Sequence, residues 1–228
     1  MKRGTKFYLC SKILTQKFMS KAIAFIAIFT FSTLIGFAQN YKPVENIDAF
    51  LKLYKEKAKS ISSLRSKFVQ EKTISFLEKK LVSEGTFCYK TPSQLRMEYI
   101  KPYTYLFILS NDKVIIRSNK KETNIPTSSN PIFKTISQIT IDCVSGNVLN
   151  NKEFKSSILE NTSSYQITLV PKSNAIESVM SQIKVIVSKQ DYTVETVEML
   201  ENSGDATLIT FKEKEINKPI PDALFTGN

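Results

Sequence analysis

The 228-residue sequence predicts a mainly β (α+β) protein, a single antiparallel meander of about eleven short strands forming a sandwich or a barrel-like sheet. Three observations carry that prediction. From Ser66 onward apolar and polar residues alternate with period two. Turn signals such as Thr91-Pro92-Ser93 and Asn202-Ser203-Gly204-Asp205 separate the alternating runs. The runs follow one another without the helices that βαβ units need.

The N-terminus is set apart from this pattern. Ala22–Phe37 is an uncharged apolar stretch of 16 residues, preceded by Lys2, Arg3, Lys6, Lys12, Lys17 and Lys21 and followed by Gly36-Phe37-Ala38. A basic region, an apolar run and a small-x-small exit predict a signal peptide at residues 1–38 and a mature domain at 39–228. A membrane anchor is the alternative, though the run is shorter than the roughly 18–20 residues a span needs. Translation starts at Met1 or Met19, since either gives a complete leader. No Cys ends the apolar run, so no lipidated mature terminus is expected.

Val44, Ile47, Leu51, Tyr54, Ala58, Ile61 and Leu64 recur at steps of three and four, with Phe50 alongside, and predict a helix that packs on a sheet. Its other face carries Lys52, Lys55, Glu56 and Lys59. Strands are expected at 66–77, 80–90, 95–100, 103–110, 113–118, 154–159, 165–170, 182–188, 193–200 and 206–214. Residues 124–146 break the rhythm. Asn130 as N-cap, Pro131 at the first helical position and the apolar Ile132, Phe133, Ile136 and Ile139 predict a short helix there, with strand as the competitor. In Tyr103–Leu109 both faces are apolar, so this strand needs cover on both sides.

Composition excludes several function classes. The chain has no His, which removes Ser-His-Asp and Cys-His nucleophiles, His bases and His-ligated metals. It has no Gly-rich phosphate loop, and no Asp/Glu pair is singled out by its spacing; Glu213 and Glu215 alternate with Lys212 and Lys214 as a solvated strand would. A non-enzyme without cofactor or metal is expected. Residues 1–38 hold six basic and no acidic side chains, so the remainder carries 26 basic against 21 acidic residues, +5 instead of +11. That balance does not point to nucleic acid. Cys88 and Cys143 either form a bridge, which an oxidising compartment permits, or are small buried hydrophobes.

A curled sheet of this size with few helices to fill it encloses space, and 15 Phe with no Trp in the chain, nine of them in 39–228, favour an apolar lining. An acyl chain of ~16 carbons would gain roughly 12 kcal/mol gross there, at about 0.8 kcal/mol per buried CH₂.

Five segments in order carry a resemblance. They are Leu64–Lys72 (LRSKFVQEK), Ser83–Pro92 (SEGTFCYKTP), Leu95–Pro102 (LRMEYIKP), Leu109–Lys113 (LSNDK) and Ile220–Phe225 (IPDALF). Together they resemble the LolA family of periplasmic lipoprotein carriers, and Asn130-Pro131-Ile132-Phe133 falls where that family places its lid helices. The resemblance implies an unclosed half-barrel of about eleven strands, lidded by helices over an apolar cavity. It implies a monomeric carrier taking acylated lipoproteins from an inner-membrane ABC transporter to an outer-membrane acceptor. The expected cavity residues are Phe68, Phe87, Tyr89, Leu95, Met97, Tyr99, Tyr105 and Phe107, with Ile132, Phe133 and Ile136 from the lid. Plain core packing is the alternative for each. The family's lid-coupling Arg is Thr91 here, so lid coupling is expected to differ or to use a neighbour such as Lys90 or Arg96. Met97 stands for the family Trp and Asp112 for a turn Gly, which leaves open another cargo such as a glycolipid or pigment. A lipid-sensing module on the same half-barrel is the second reading, expected to need a further C-terminal domain beyond Asn228. A carboxylate enzyme is the third, disfavoured for want of converging polar residues.

Overall fold

Antiparallel pairing runs without a break through twelve strands. The computed structural model describes residues 40–77, 79–110, 113–118, 121–126 and 131–226, with 131–137 as helix backbone. The expected signal peptide and the Asn111-Asp112 turn lie outside these residues. In chain order the elements are β1 (Lys42–Pro43), α1 (Ile47–Lys59), β2 (Ser63–Ile74), β3 (Lys79–Lys90), β4 (Gln94–Lys101), β5 (Tyr105–Ser110), β6 (Lys113–Ser118) and β7 (Lys121–Pro126). Then follow α2 (Pro131–Ser145), β8 (Phe154–Glu160), β9 (Ser164–Pro171), the one-turn α3 (Asn174–Glu177), β10 (Met180–Ser188), β11 (Val194–Glu201) and β12 (Ala206–Ile216).

The sheet order is β1-β8-β9-β10-β11-β12-β2-β3-β4-β5-β6-β7, which leaves β1 and β7 as edges and the barrel unclosed. Both edges are blunted: β1 has two residues, and β7 is polar and ends in Pro126. β4 and β11 stand four pairings apart, about 19 Å on a flat sheet at ~4.8 Å per strand. Side chains from both nevertheless line one hollow, so the sheet curls. β7 and β8 lie toward opposite edges, and α2 is the crossing between them. Its Ile139 and Cys143 pack among Phe154, Ile158 and Ile167, while its Ile141 and Val144 pack against the β2–β6 side.

Asn46 starts α1 by accepting from the Ala49 N–H at 2.9 Å. Phe50, Tyr54 and Ala58 are its buried stripe, whereas Ile47 is half exposed. The helix ends at Lys59; of the two residues expected on its face, Ile61 leads into β2 and Leu64 lies within it, since the strand begins at Ser63. Gly146 terminates α2 at φ +73°, and a β-carbon on it would stand 3.0 Å from the Ala58 Cβ, so the two helices meet through a residue without a side chain.

Three cross-strand rows build the inner face: Leu64–Tyr89–Leu95–Leu109–Val114, Ser66–Phe87–Met97–Phe107–Ile116 and Phe68–Gly85–Tyr99–Tyr105. The opposite face carries Cys88, Leu106, Ile108 and Ile115, covered by Ile220 and Phe225 of the C-terminal segment. That segment is the second cover which the two apolar faces of β5 require. Each fully buried Phe or Ile here stabilises the fold by about 1.5–3 kcal/mol.

Candidate functional site

The inner face holds two hollows that share Phe87, Thr140, Val197 and Phe211. The larger, about 230 Å³, lies among Leu95, Met97, Phe107, Leu109, Met199 and Ile209. The smaller, about 60 Å³, runs under α2 between Ile61, Leu64, Ile139 and Val144, with Ser66, Thr193 and Lys214 at one side. An apolar cavity of ~150 Å³ already stays dry and takes up benzene. The larger hollow exceeds that size and is lined mostly by apolar side chains.

Of the expected cavity residues, Phe87, Leu95, Met97, Tyr99, Tyr105 and Phe107 line the larger hollow. Phe68 and Tyr89 share their face but are core: the Phe68 ring covers Gly85, and the Tyr89 hydroxyl donates to the Pro92 carbonyl at 3.3 Å. The side chains of Ile132, Phe133 and Ile136 lie outside the described residues. Tyr99 spans the gap that Gly85 leaves. Its ring meets Phe68 edge-on at 4.9 Å and Tyr105 at 5.5 Å, and its hydroxyl donates to Gln70 Oε1 at 2.8 Å. Burial, reinforced by Tyr105 and Tyr103, pushes its phenol up to about 12.

The residues expected to couple the lid have other partners. Lys90 Nζ donates to Asp222 Oδ1 at 2.6 Å and to the Ile220 carbonyl at 3.2 Å. Arg96 donates to the Leu224 carbonyl at 2.9 Å and to Glu98 Oε2 at 3.0 Å. Thr91 donates through its N–H and hydroxyl to the Ser62 carbonyl. Lys90 and Arg96 therefore pin the C-terminal segment to the outer face, because their strand positions place them opposite the hollow. What α2 does receive is the Tyr54 hydroxyl, which donates to the Cys143 carbonyl.

Cys88 and Cys143 are unpaired and lie on opposite faces of the sheet, which settles the open disulfide question against a bridge. Burial raises both thiols, Cys143 to about 12 with a contribution from Asp142, so neither is a reactive thiolate.

Sequence reasoning missed the hollow's polar corner. Lys214 Nζ donates to Thr193 Oγ1 and lies 3.2 Å from Asp191 Oδ2, and Thr193 donates to Asp191 Oδ1 through N–H and hydroxyl at 3.0 and 2.7 Å. Burial would raise the Asp191 carboxyl, but the Thr193 donors and the Lys214 ammonium together hold it below its ordinary value.

An unclosed antiparallel sheet, hollow and apolar on its inner face and crossed by one helix, defines a binder of apolar groups. The family model described as "Outer membrane lipoprotein carrier protein LolA" matches residues 59–228, and the chain belongs to that carrier family. An outer-membrane lipoprotein carrier protein of Pseudoalteromonas translucida (strain TAC 125) is 23% identical over 172 residues, covering 73% of this chain and 76% of that protein. Similar solved structures include a LolA superfamily protein from Nitrosomonas europaea, with TM-score 0.42 and 10% identity over 77% of this chain and 97% of that one. Another is the lipoprotein LppX of Mycobacterium tuberculosis, with TM-score 0.41 and 11% identity over 77% and 99% of the two chains.

Proposed function

We propose that this protein is a periplasmic chaperone that shields the acyl chains of lipoproteins and shuttles them from the inner to the outer membrane. The observation that carries the reading is the 230 Å³ hollow, walled by Leu95, Met97, Phe107, Met199 and Ile209 and roofed in part by Thr140 of α2, in a member of a lipoprotein-carrier family. Acyl binding there needs only burial of CH₂ groups, so the reading calls for no cofactor and no catalysis. An acylated cargo needs more room than about 230 Å³, so cargo enters by displacing α2, whose Thr140 lines the hollow. Tyr54 and Gly146 anchor the C-terminal end of α2 on α1, the point about which such a displacement would turn. An inner-membrane ABC transporter would load the cargo and an outer-membrane acceptor would take it.

The test is extraction. Incubated with vesicles carrying a triacylated lipoprotein, the protein is expected to bring that lipoprotein into the soluble fraction as a one-to-one complex. Lipoprotein that stays with the vesicles even when the releasing transporter and nucleotide are supplied would contradict the proposal. A lipid released without polypeptide would redirect it to another lipid cargo.

A further inference from the structure

Two irregularities meet at one point of the hollow. Ser66 is 2% exposed, and among the described residues its Oγ is the buried side-chain polar atom left without a hydrogen-bond partner. It lines the smaller hollow. Such a group is disfavoured wherever it is not used, since water satisfied it in the unfolded chain. Opposite it, β12 slips register: Lys212 pairs with Lys67 and Glu215 with Arg65, so Glu213 and Lys214 together face Ser66. This is a β-bulge, and Glu213 adopts φ +52° within it, a left-handed backbone that L side chains rarely take. Its effect is on facing. Ile209 and Phe211 point inward before the bulge; after it the inward residues are Lys214 and Ile216. A regular strand would have turned Glu213 inward instead. Tyr192, at φ +57°, lines the same corner from the β10–β11 turn.

The charge of the corner is balanced, because Asp191 neutralises Lys214. A neutral acceptor fits such a place better than an anion does. Lys214 Nζ already donates to Thr193 Oγ1 and reaches both Asp191 carboxylate oxygens, Oδ2 at 3.2 Å and Oδ1 at 3.5 Å, which leaves the Ser66 hydroxyl as the unused donor of the corner. The surrounding Phe87, Phe211, Ile139 and Val144 admit only hydrocarbon.

We infer that this corner binds the carbonyl of an acyl ester or amide. Ser66 Oγ–H donates to the carbonyl oxygen beside Lys214, and the hydrocarbon runs past Phe87 and Phe211 toward Met97 and Phe107. The inference rests on the carrier reading of the hollow and adds to it a polarity: the head of the chain lies at β2 and β12, its tail at β4 and β5. It makes the site selective for acyl groups over plain hydrocarbon.

The experiment uses the full chain, a fluorescent apolar probe, and two competitors of equal length, glyceryl monopalmitate and hexadecyl glyceryl ether, which lacks the carbonyl. Wild type is expected to prefer the ester by roughly three- to tenfold, the worth of one hydrogen bond. Ser66→Ala should bind the ester as weakly as the ether, leave the ether unchanged, and melt no lower than wild type when empty. An ester preference that survives Ser66→Ala would overturn the inference and leave the carrier reading intact. Equal loss of both ligands together with stability would overturn it too, by assigning Ser66 to packing. Failure of wild type to take up either ligand would instead remove the carrier reading itself.

Discussion

The hydroxyl of Tyr54 donates to the main-chain carbonyl of Cys143 at 2.5 Å, joining the first helix to the last turn of the helix that crosses the hollow. That carbonyl is one of the four at the end of α2 which have no partner within the helix. Burial, with Cys143 adding to it, keeps the phenol far above its ordinary titration range, so the bond persists at any physiological pH. Tyr54→Phe should cost about 1–3 kcal/mol, the range for a buried acceptor left unmade. A urea titration would show it, together with faster hydrogen exchange in 139–145. Unchanged stability would mean that the bond does not hold α2 in place.

Gly85 is fixed by its neighbours and not by its own backbone freedom. A β-carbon there would fall on the Glu98 carbonyl oxygen and 2.6 Å from the Phe68 ring. Main chain yields little to such an overlap, so Gly85→Ala should destabilise by more than about 2 kcal/mol. Thermal unfolding of the variant is the check, and a melting point equal to wild type would refute the packing described.

Met97 sits at the centre of the middle cross-strand row, between Phe87 and Phe107. An aspartate there places a charge where hydrocarbon is to bind, and should lower affinity for a fatty-acyl probe tenfold or more. Melting should fall by only a few degrees, because the hollow can admit water. Loss of stability in proportion to binding would assign Met97 to the core.

Alkaline pH should loosen the fold. The Cys143 thiol and the Tyr99 phenol both titrate at about 12 in the folded protein, above ordinary values of 9.0 and 10.0. Each folded-state pKa is raised, so the stabilisation is complete below pH about 9 and is lost as pH rises toward 12. Urea midpoints measured in reductant should decline from pH 9 to 11, less steeply in Cys143→Ala. A flat profile would contradict the burial assigned to these groups.

Strand rhythm made most of the sheet legible, since alternation of large apolar side chains marks any half-buried strand. The polar β7, KETNIP, escaped it because Ile125 is its single large apolar residue packed on the core, which leaves no alternation to read. The start of β2 was displaced because Ile61 and Leu64 continue a helical spacing although the chain has already turned at Ser60. Six of eight expected strand residues line the hollow, for the same parity that defines the strands. The polar corner was hidden for a different reason. Lys214 lies in an alternating Lys-Glu run that looks solvated, and the bulge that turns it inward centres on Glu213, where no Gly marks a left-handed backbone.

The most direct test of the carrier account is native mass spectrometry of the protein recovered from its own cell envelope without detergent. The account predicts a population heavier by one acylated polypeptide, absent from Met97→Asp. Protein that is always empty, and that also refuses fatty-acyl probes in solution, would contradict it.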